Sequence, residues 1–231
     1  MSVAEAKAAA AEAALAHVDE GMVVGLGSGS TAAAFIDQLA GAVADGLAVT
    51  GVPTSLETER RAREQGIPIT PLATVDRVDL AVDGADQVTS GGVLIKGGGG
   101  AVLRERLVAD MAAEFVVIVD STKLTTVLDH PVPVVIAPAA RGVIRRRLEE
   151  AGAVPRLRTG DGRLGPTLTD DHAMIIDADF GDIDDPDRCA ATIAAIEGVL
   201  AHGLWPTLCD LLIAADQGGT VTETSLGDDA E

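Results

Sequence analysis

Lysine has almost vanished from this chain. It occurs only at Lys7, Lys96 and Lys123; the other fourteen of the 17 cations are arginine, and they face 36 Asp and Glu for a net charge of −19. A surface this acidic, with a pI of about 4.4, excludes a general binder of nucleic-acid backbones or anionic membranes, since both are held by basic patches. Cysteine is limited to Cys189 and Cys209, which excludes a disulfide framework and any C-x-x-C zinc pair. Aromatic residues make up 2 %, and the lone Trp205 reads as packing. The four histidines, at 17, 130, 172 and 202, lack ligand spacing, so no metal site is expected. No stretch has the length of a membrane span, and the alanine-rich start carries Glu5, Lys7 and Glu12, which predicts an amphipathic helix over 3–18 rather than a signal peptide. A cytoplasmic protein is expected. Carboxylate excess also predicts adaptation to high salt, where hydrated carboxylates keep a protein soluble under strong screening.

What is present is enough apolar residue, 47 % of 231, for a substantial core. Apolar strands at 22–27, 47–53, 78–86 and 115–120 alternate with helical patterns at 30–46 and 55–66. That alternation predicts an α/β domain with a parallel sheet, whose ligands sit beyond the carboxyl ends of the strands. From about residue 129 the pattern changes to strand, helix, two strands around an Asp161-Gly162 turn, and a helix at 185–198, which fits a small α+β domain. Strand-like segments then return and are expected to rejoin the first sheet. The predicted division is therefore 1–128 with 203–231, and 129–202, ending in a loose acidic tail.

Four motifs carry chemistry, each at a strand's end. Gly25-Leu26-Gly27-Ser28-Gly29-Ser30-Thr31 combines a tight turn with a helix N-terminus that attracts anions. Its hydroxyls suit a monophosphate. A dinucleotide reading is disfavoured because the second strand ends in Thr54-Ser55, with no acid for a ribose hydroxyl. Asp83-Gly84-Ala85-Asp86 offers two carboxylates for acid/base or metal chemistry, although by itself it reads as an Asx turn. Lys96-Gly97-Gly98-Gly99-Gly100 spends conformational entropy that is hard to explain without backbone amides at a ligand. Glu105, early in the following helix, is placed to move a proton while Lys96 stabilises an oxyanion. Asp120-Ser121-Thr122-Lys123 reads either as a cap with a solvated lysine or as a lysine reaching a phosphate. The acidic run from Asp177 to Asp187 reads as a solvated face.

Together, in this order and spacing, the motifs resemble ribose-5-phosphate isomerase, type A. That family's pattern runs G-x-G-S/T-G-S-T, then D-G-A-D, then K-G-G-G-A with a glutamate nine residues after the lysine, then D-x-S-K. The resemblance extends to the G-x-x-x-H-G-L segment at 198–204. Gln87 departs from the usual glutamate, Leu103 from a frequent threonine, and Gly100 from an alanine.

The resemblance implies a Rossmann-like domain with a smaller ferredoxin-like domain, assembled as homodimers or homotetramers. It implies cofactor-free interconversion of D-ribose 5-phosphate and D-ribulose 5-phosphate through a cis-enediolate. Glu105 would be the base, Lys96 with the amides of Gly97, Gly98 and Gly99 the oxyanion site, and Asp83 the group acting on the sugar oxygens, oriented by Asp86. Ser28, Gly29, Ser30 and Thr31, with Gly84, Ala85, Lys123 and Lys7, would hold the phosphate and neighbouring oxygens. Two rivals are weaker. A sugar-phosphate sensor has no need of both Glu105 and Asp83, and a dinucleotide oxidoreductase lacks its ribose-binding acid.

Overall fold

A computed structural model describes residues 1–160, 162 and 164–227. The Asp161-Gly162 turn and the end of the acidic tail fall, at Asp161 and at 228–231, outside the described residues. In chain order the elements are α1 (Val3–Leu15), β1 (Val23–Leu26), α2 (Gly29–Ala44), β2 (Thr50–Pro53), α3 (Leu56–Glu64), β3 (Val78–Asp83), β4 (Gln87–Thr89), β5 (Leu94–Ile95), α4 (Val102–Met111), β6 (Ala112–Asp120), β7 (Leu124–Thr125), β8 (Val132–Ile136), α5 (Arg141–Glu150), β9 (Val154–Leu157), β10 (Met174–Asp179), α6 (Pro186–Ala194), β11 (Val199–His202), β12 (Leu204–Trp205), β13 (Leu211–Ala215) and β14 (Val221–Ser225). Among the described residues no helix is long and apolar enough to cross a membrane.

The chain forms two compact units. The first comprises Met1–Ala85, Arg104–Leu124 and the chain from Leu208; the second comprises Asp86–Leu103 and Thr125–Thr207. These limits differ from the division at 128/129 and 202/203 that the sequence suggests. The physical reason is the hairpin β4–β5, which pairs with β12 and so groups residues 86–103 with the later segment.

The first unit holds a six-stranded sheet in the order β14-β13-β6-β3-β1-β2. Every neighbouring pair is parallel except β13–β14. Its central strands are buried apolar runs, Phe115–Val119 among them, as expected of strands covered on both faces. Helix α2 buries Ala32, Phe35, Ile36, Leu39 and Ala40, the spacing of a single helical face. Helix α1 buries only alanines, Ala6, Ala10, Ala11 and Ala14. It opens with a Ser2–Glu5 capping box, which satisfies two of its end amides.

The second unit contains β8-α5-β9-β10-α6-β11, with a sheet in the order β11-β8-β10-β9 and antiparallel neighbours throughout. This is the ferredoxin-like arrangement. Its core gathers Val132, Val134, Ile136, Ile144, Leu148 and Ile176.

Candidate active site

In the first unit β2 lies on one side of β1 and β3 on the other. That reversal opens a crevice beyond the carboxyl ends of β1 and β3. The turn after β1 meets the end of β3 at very short range. A Cβ on Gly27 would sit 2.2 Å from Asp83 Oδ1 and 2.3 Å from its Cγ, so only glycine fits there. Asp83 is 3 % exposed. Its Oδ1 accepts the backbone N–H of Ser28 (3.1 Å) and of Gly84 (2.7 Å). The carboxylate thus fixes both the loop after β1 and the first residue of the Gly84-Ala85 turn.

Ser28 precedes α2 without capping it. Its hydroxyl lies 2.8 Å from Thr54 Oγ1 and 3.3 Å from Thr58 Oγ1, and it donates to Ser55 Oγ at 3.0 Å. Thr54 and Thr58 in turn donate to the carbonyls of Leu26 and Gly27, each at 2.9 Å. Ser28's side chain therefore leaves the first-turn amides of α2, from Gly29, Ser30 and Thr31, for an anion. Gly29 takes φ +90°, a conformation that favours glycine. Sequence reasoning missed Thr54, Ser55 and Thr58 as supports. The signal was present as a T-S-x-x-T run after a strand.

Lys7 reaches this loop from α1. Its Nζ donates to Ser30 Oγ at 2.9 Å and lies 3.9 Å from Asp120 Oδ2. Asp120 is 2 % exposed, and its Oδ1 accepts the backbone N–H and the hydroxyl of Thr122. Lys123 ends the helical turn 121–123 that Asp120 caps. Glu105 is placed through α4. Gly25 of β1 has no room for a Cβ, which would lie 2.5 Å from Val108 Cγ1 and 2.8 Å from Ala81 Cβ, so α4 packs directly on the sheet. Glu105 is three residues before Val108 and shares its face. The helix leads straight into the start of β6, so its first turn lies toward the carboxyl edge of the sheet. Glu105 is buried, 4 % exposed.

The second unit holds Asp86, Lys96 and the glycine loop. Asp86 Oδ2 accepts the N–H of Gly98 at 2.7 Å. Lys96 is 2 % exposed; its backbone N–H donates to Gly203 O at 2.8 Å, and a Cβ on Gly203 would fall 1.9 Å from Lys96 O. This close approach explains the glycine of the 198–204 segment. The Lys96 ammonium stands 5.3 Å from the centroid of Trp205, within cation–π range. Trp205 is fully buried and donates its indole N–H to His202 O at 2.8 Å. It packs as expected, and it also supports Lys96, which sequence reasoning did not foresee. Gly97 takes φ +99°, and a Cβ there would lie 2.1 Å from Val102 Cγ2.

The structure thus brings Ser28–Thr31, Asp83, Gly84, Ala85, Lys7, Lys123 and Glu105 to the carboxyl edge of the first unit's sheet. Asp86, Lys96 and Gly97–Gly99 are ordered against one another in the second. The family model for ribose 5-phosphate isomerase A (phosphoriboisomerase A) matches residues 50–219. A ribose-5-phosphate isomerase A from Haloquadratum walsbyi is 43 % identical over 94 % of this chain and 92 % of its own length. One from Haloarcula marismortui is 45 % identical over 95 % of each. A solved D-ribose-5-phosphate isomerase in complex with phospho-erythronic acid superposes with a TM-score of 0.94 at 39 % identity, over 97 % of this chain and 100 % of the other. The chain belongs to the ribose-5-phosphate isomerase A family.

Proposed function

We propose that Glu105 is the base that carries the proton between C2 and C1 as this enzyme interconverts D-ribose 5-phosphate and D-ribulose 5-phosphate. Removing a proton from carbon beside a carbonyl requires a base, a donor set for the developing oxyanion and shelter from water. Glu105 is buried on a helix that Val108 and Gly25 seat directly on the sheet, and this observation carries the reading. Lys96, with amides of Gly97, Gly98 and Gly99, stabilises the enediolate oxygen. Asp83 exchanges protons with the sugar oxygens, including those of ring opening, and Asp86 orients the loop. The amides at Ser28–Thr31, with Lys7 and Lys123, take the phosphate, while Gly84 and Ala85 line the sugar. The phospho-erythronic acid named with a relative supports a phosphorylated sugar chain as substrate.

The enzyme works as a homodimer or homotetramer in a cytoplasm of high salt, without cofactor or metal. A ribose 5-phosphate to ribulose 5-phosphate assay in concentrated salt with chelator tests the reading. Turnover that survives chelation is expected; absence of turnover in any salt overturns it. Sedimentation of the active protein as a monomer would remove the assembly from the proposal. Unchanged folding on dialysis into low salt would remove the salt adaptation.

A further inference from the structure

We propose that Arg158 is a positioning residue for the isomerisation, acting through the glycine loop. The inference rests on the reading of that loop as the oxyanion site. Arg158 follows β9, and its backbone is locked on both sides, donating to Ile175 O at 2.9 Å and accepting from Thr167 N at 2.9 Å. Its side chain is 17 % exposed. One edge of the guanidinium grips Asp177, with Nε donating to Oδ2 at 2.9 Å and Nη2 donating to Oδ1. The remaining nitrogen, Nη1, donates to Gly97 O at 3.0 Å and Gly98 O at 3.1 Å. Asp177 therefore holds the fork, and the fork holds two consecutive loop carbonyls. A lysine has no planar fork with which to do both.

The consequence follows from peptide geometry. In a trans peptide the N–H points opposite the preceding C=O. Fixing Gly97 O fixes the N–H of Gly98, which meets Asp86 Oδ2 at 2.7 Å. Fixing Gly98 O fixes the N–H of Gly99, an exposed residue. Glycine peptides otherwise rotate easily, since both signs of φ are accessible. A cation on the carbonyl side also polarises both peptides and strengthens their N–H groups as donors. Arg158 thereby holds the Gly98 amide on Asp86 and sets the direction and strength of the Gly99 amide that meets an oxyanion, without touching substrate. A solvated acidic face would account for Asp177 only as an exposed charge, yet its partner is a single arginine committed to the loop.

The test is Arg158→Ala, assayed for kcat and KM with and without added guanidinium ion, together with deuterium exchange of the peptide spanning 97–100. Expected are a kcat about 10- to 100-fold lower with KM nearly unchanged, partial recovery by guanidinium, and faster exchange in the loop. Wild-type kcat in the variant overturns the inference. So does a fall in kcat matched by a fall in Tm, with no rescue and no change in loop exchange. Should Arg158→Ala fail to fold, Asp177→Asn keeps the guanidinium but frees it; unchanged kcat and unchanged loop exchange in that variant are equally fatal. A wild-type protein without isomerase activity would refute the oxyanion reading instead, while the exchange measurement still decides whether Arg158 orders the loop.

Discussion

Gly27→Ala isolates the contact on which the first half of the site depends. Gly27 does not require a positive φ, so alanine meets no backbone penalty and its effect is steric. The new methyl would lie 2.2 Å from Asp83 Oδ1, 2.3 Å from Cγ and 2.6 Å from Cβ. No rotation relieves this, because those atoms lie in a buried side chain tied to two amides. Overpacking of this kind costs about 1–3 kcal/mol. Losing a hydrogen bond to the charged carboxylate adds about 1.5–3 kcal/mol. The total, about 2.5–6 kcal/mol, corresponds to a Tm drop on the order of 10 °C for a chain of this size. Because Asp83 and the Ser28 loop move apart together, kcat/KM falls with stability. The control is Gly41→Ala inside helix α2, where a Cβ meets nothing within 4 Å and stability rises by about 0.5–1 kcal/mol. Thermal scans and initial rates on both variants decide the matter. An unchanged Tm and kcat/KM in Gly27→Ala would refute the close-approach argument.

Two further outcomes are expected. Gln87 donates to Asp129 Oδ1 at 2.5 Å and accepts the N–H groups of Asp129 (3.0 Å) and His130 (2.8 Å); Gln87→Glu keeps the acceptor but sets two carboxylates together. Denaturant titration should show a loss of about 1 kcal/mol in dilute buffer, shrinking in concentrated salt. Burial, and secondarily the charge of Asp185, pushes the Cys189 thiol up to about 11. Alkylation by iodoacetamide, followed by mass, is therefore slow at neutral pH and accelerates about tenfold per pH unit toward that value; fast modification at pH 7 would contradict the burial.

Features fixed by short-range chemistry were legible in the chain itself. The motif ends of β1, β3 and β6 and the βαββα run of the second unit follow from apolar runs, caps and turn residues, whereas β11, which pairs with β8 to complete that unit's sheet, was not foreseen. The hairpin β4–β5 was not legible, because strands of three and two residues carry no periodicity and their partner β12 lies more than a hundred residues later. The glycine loop was only half legible. Sequence suggests that its glycines serve a ligand, whereas Gly97 is also required by Val102 and Gly98 by Asp86, where a Cβ would lie 2.7 Å from Oδ1. Asp177 illustrates the same limit. It stands among acids that face solvent, and only the pairing of β10 with β9 and the turn beyond it reveals Arg158 as its partner. The hydroxyls of Thr54 and Thr58 belong to this class too, since they answer carbonyls of β1 and its turn, some thirty residues earlier.

The central claim is that a single buried carboxylate moves the carbon-bound proton. The direct measurement is the steady-state rate of Glu105→Gln with ribose 5-phosphate, alongside substrate affinity by calorimetry. The account predicts a kcat lower by roughly 100- to 10,000-fold with the dissociation constant nearly unchanged. Turnover close to that of the unaltered enzyme would contradict it.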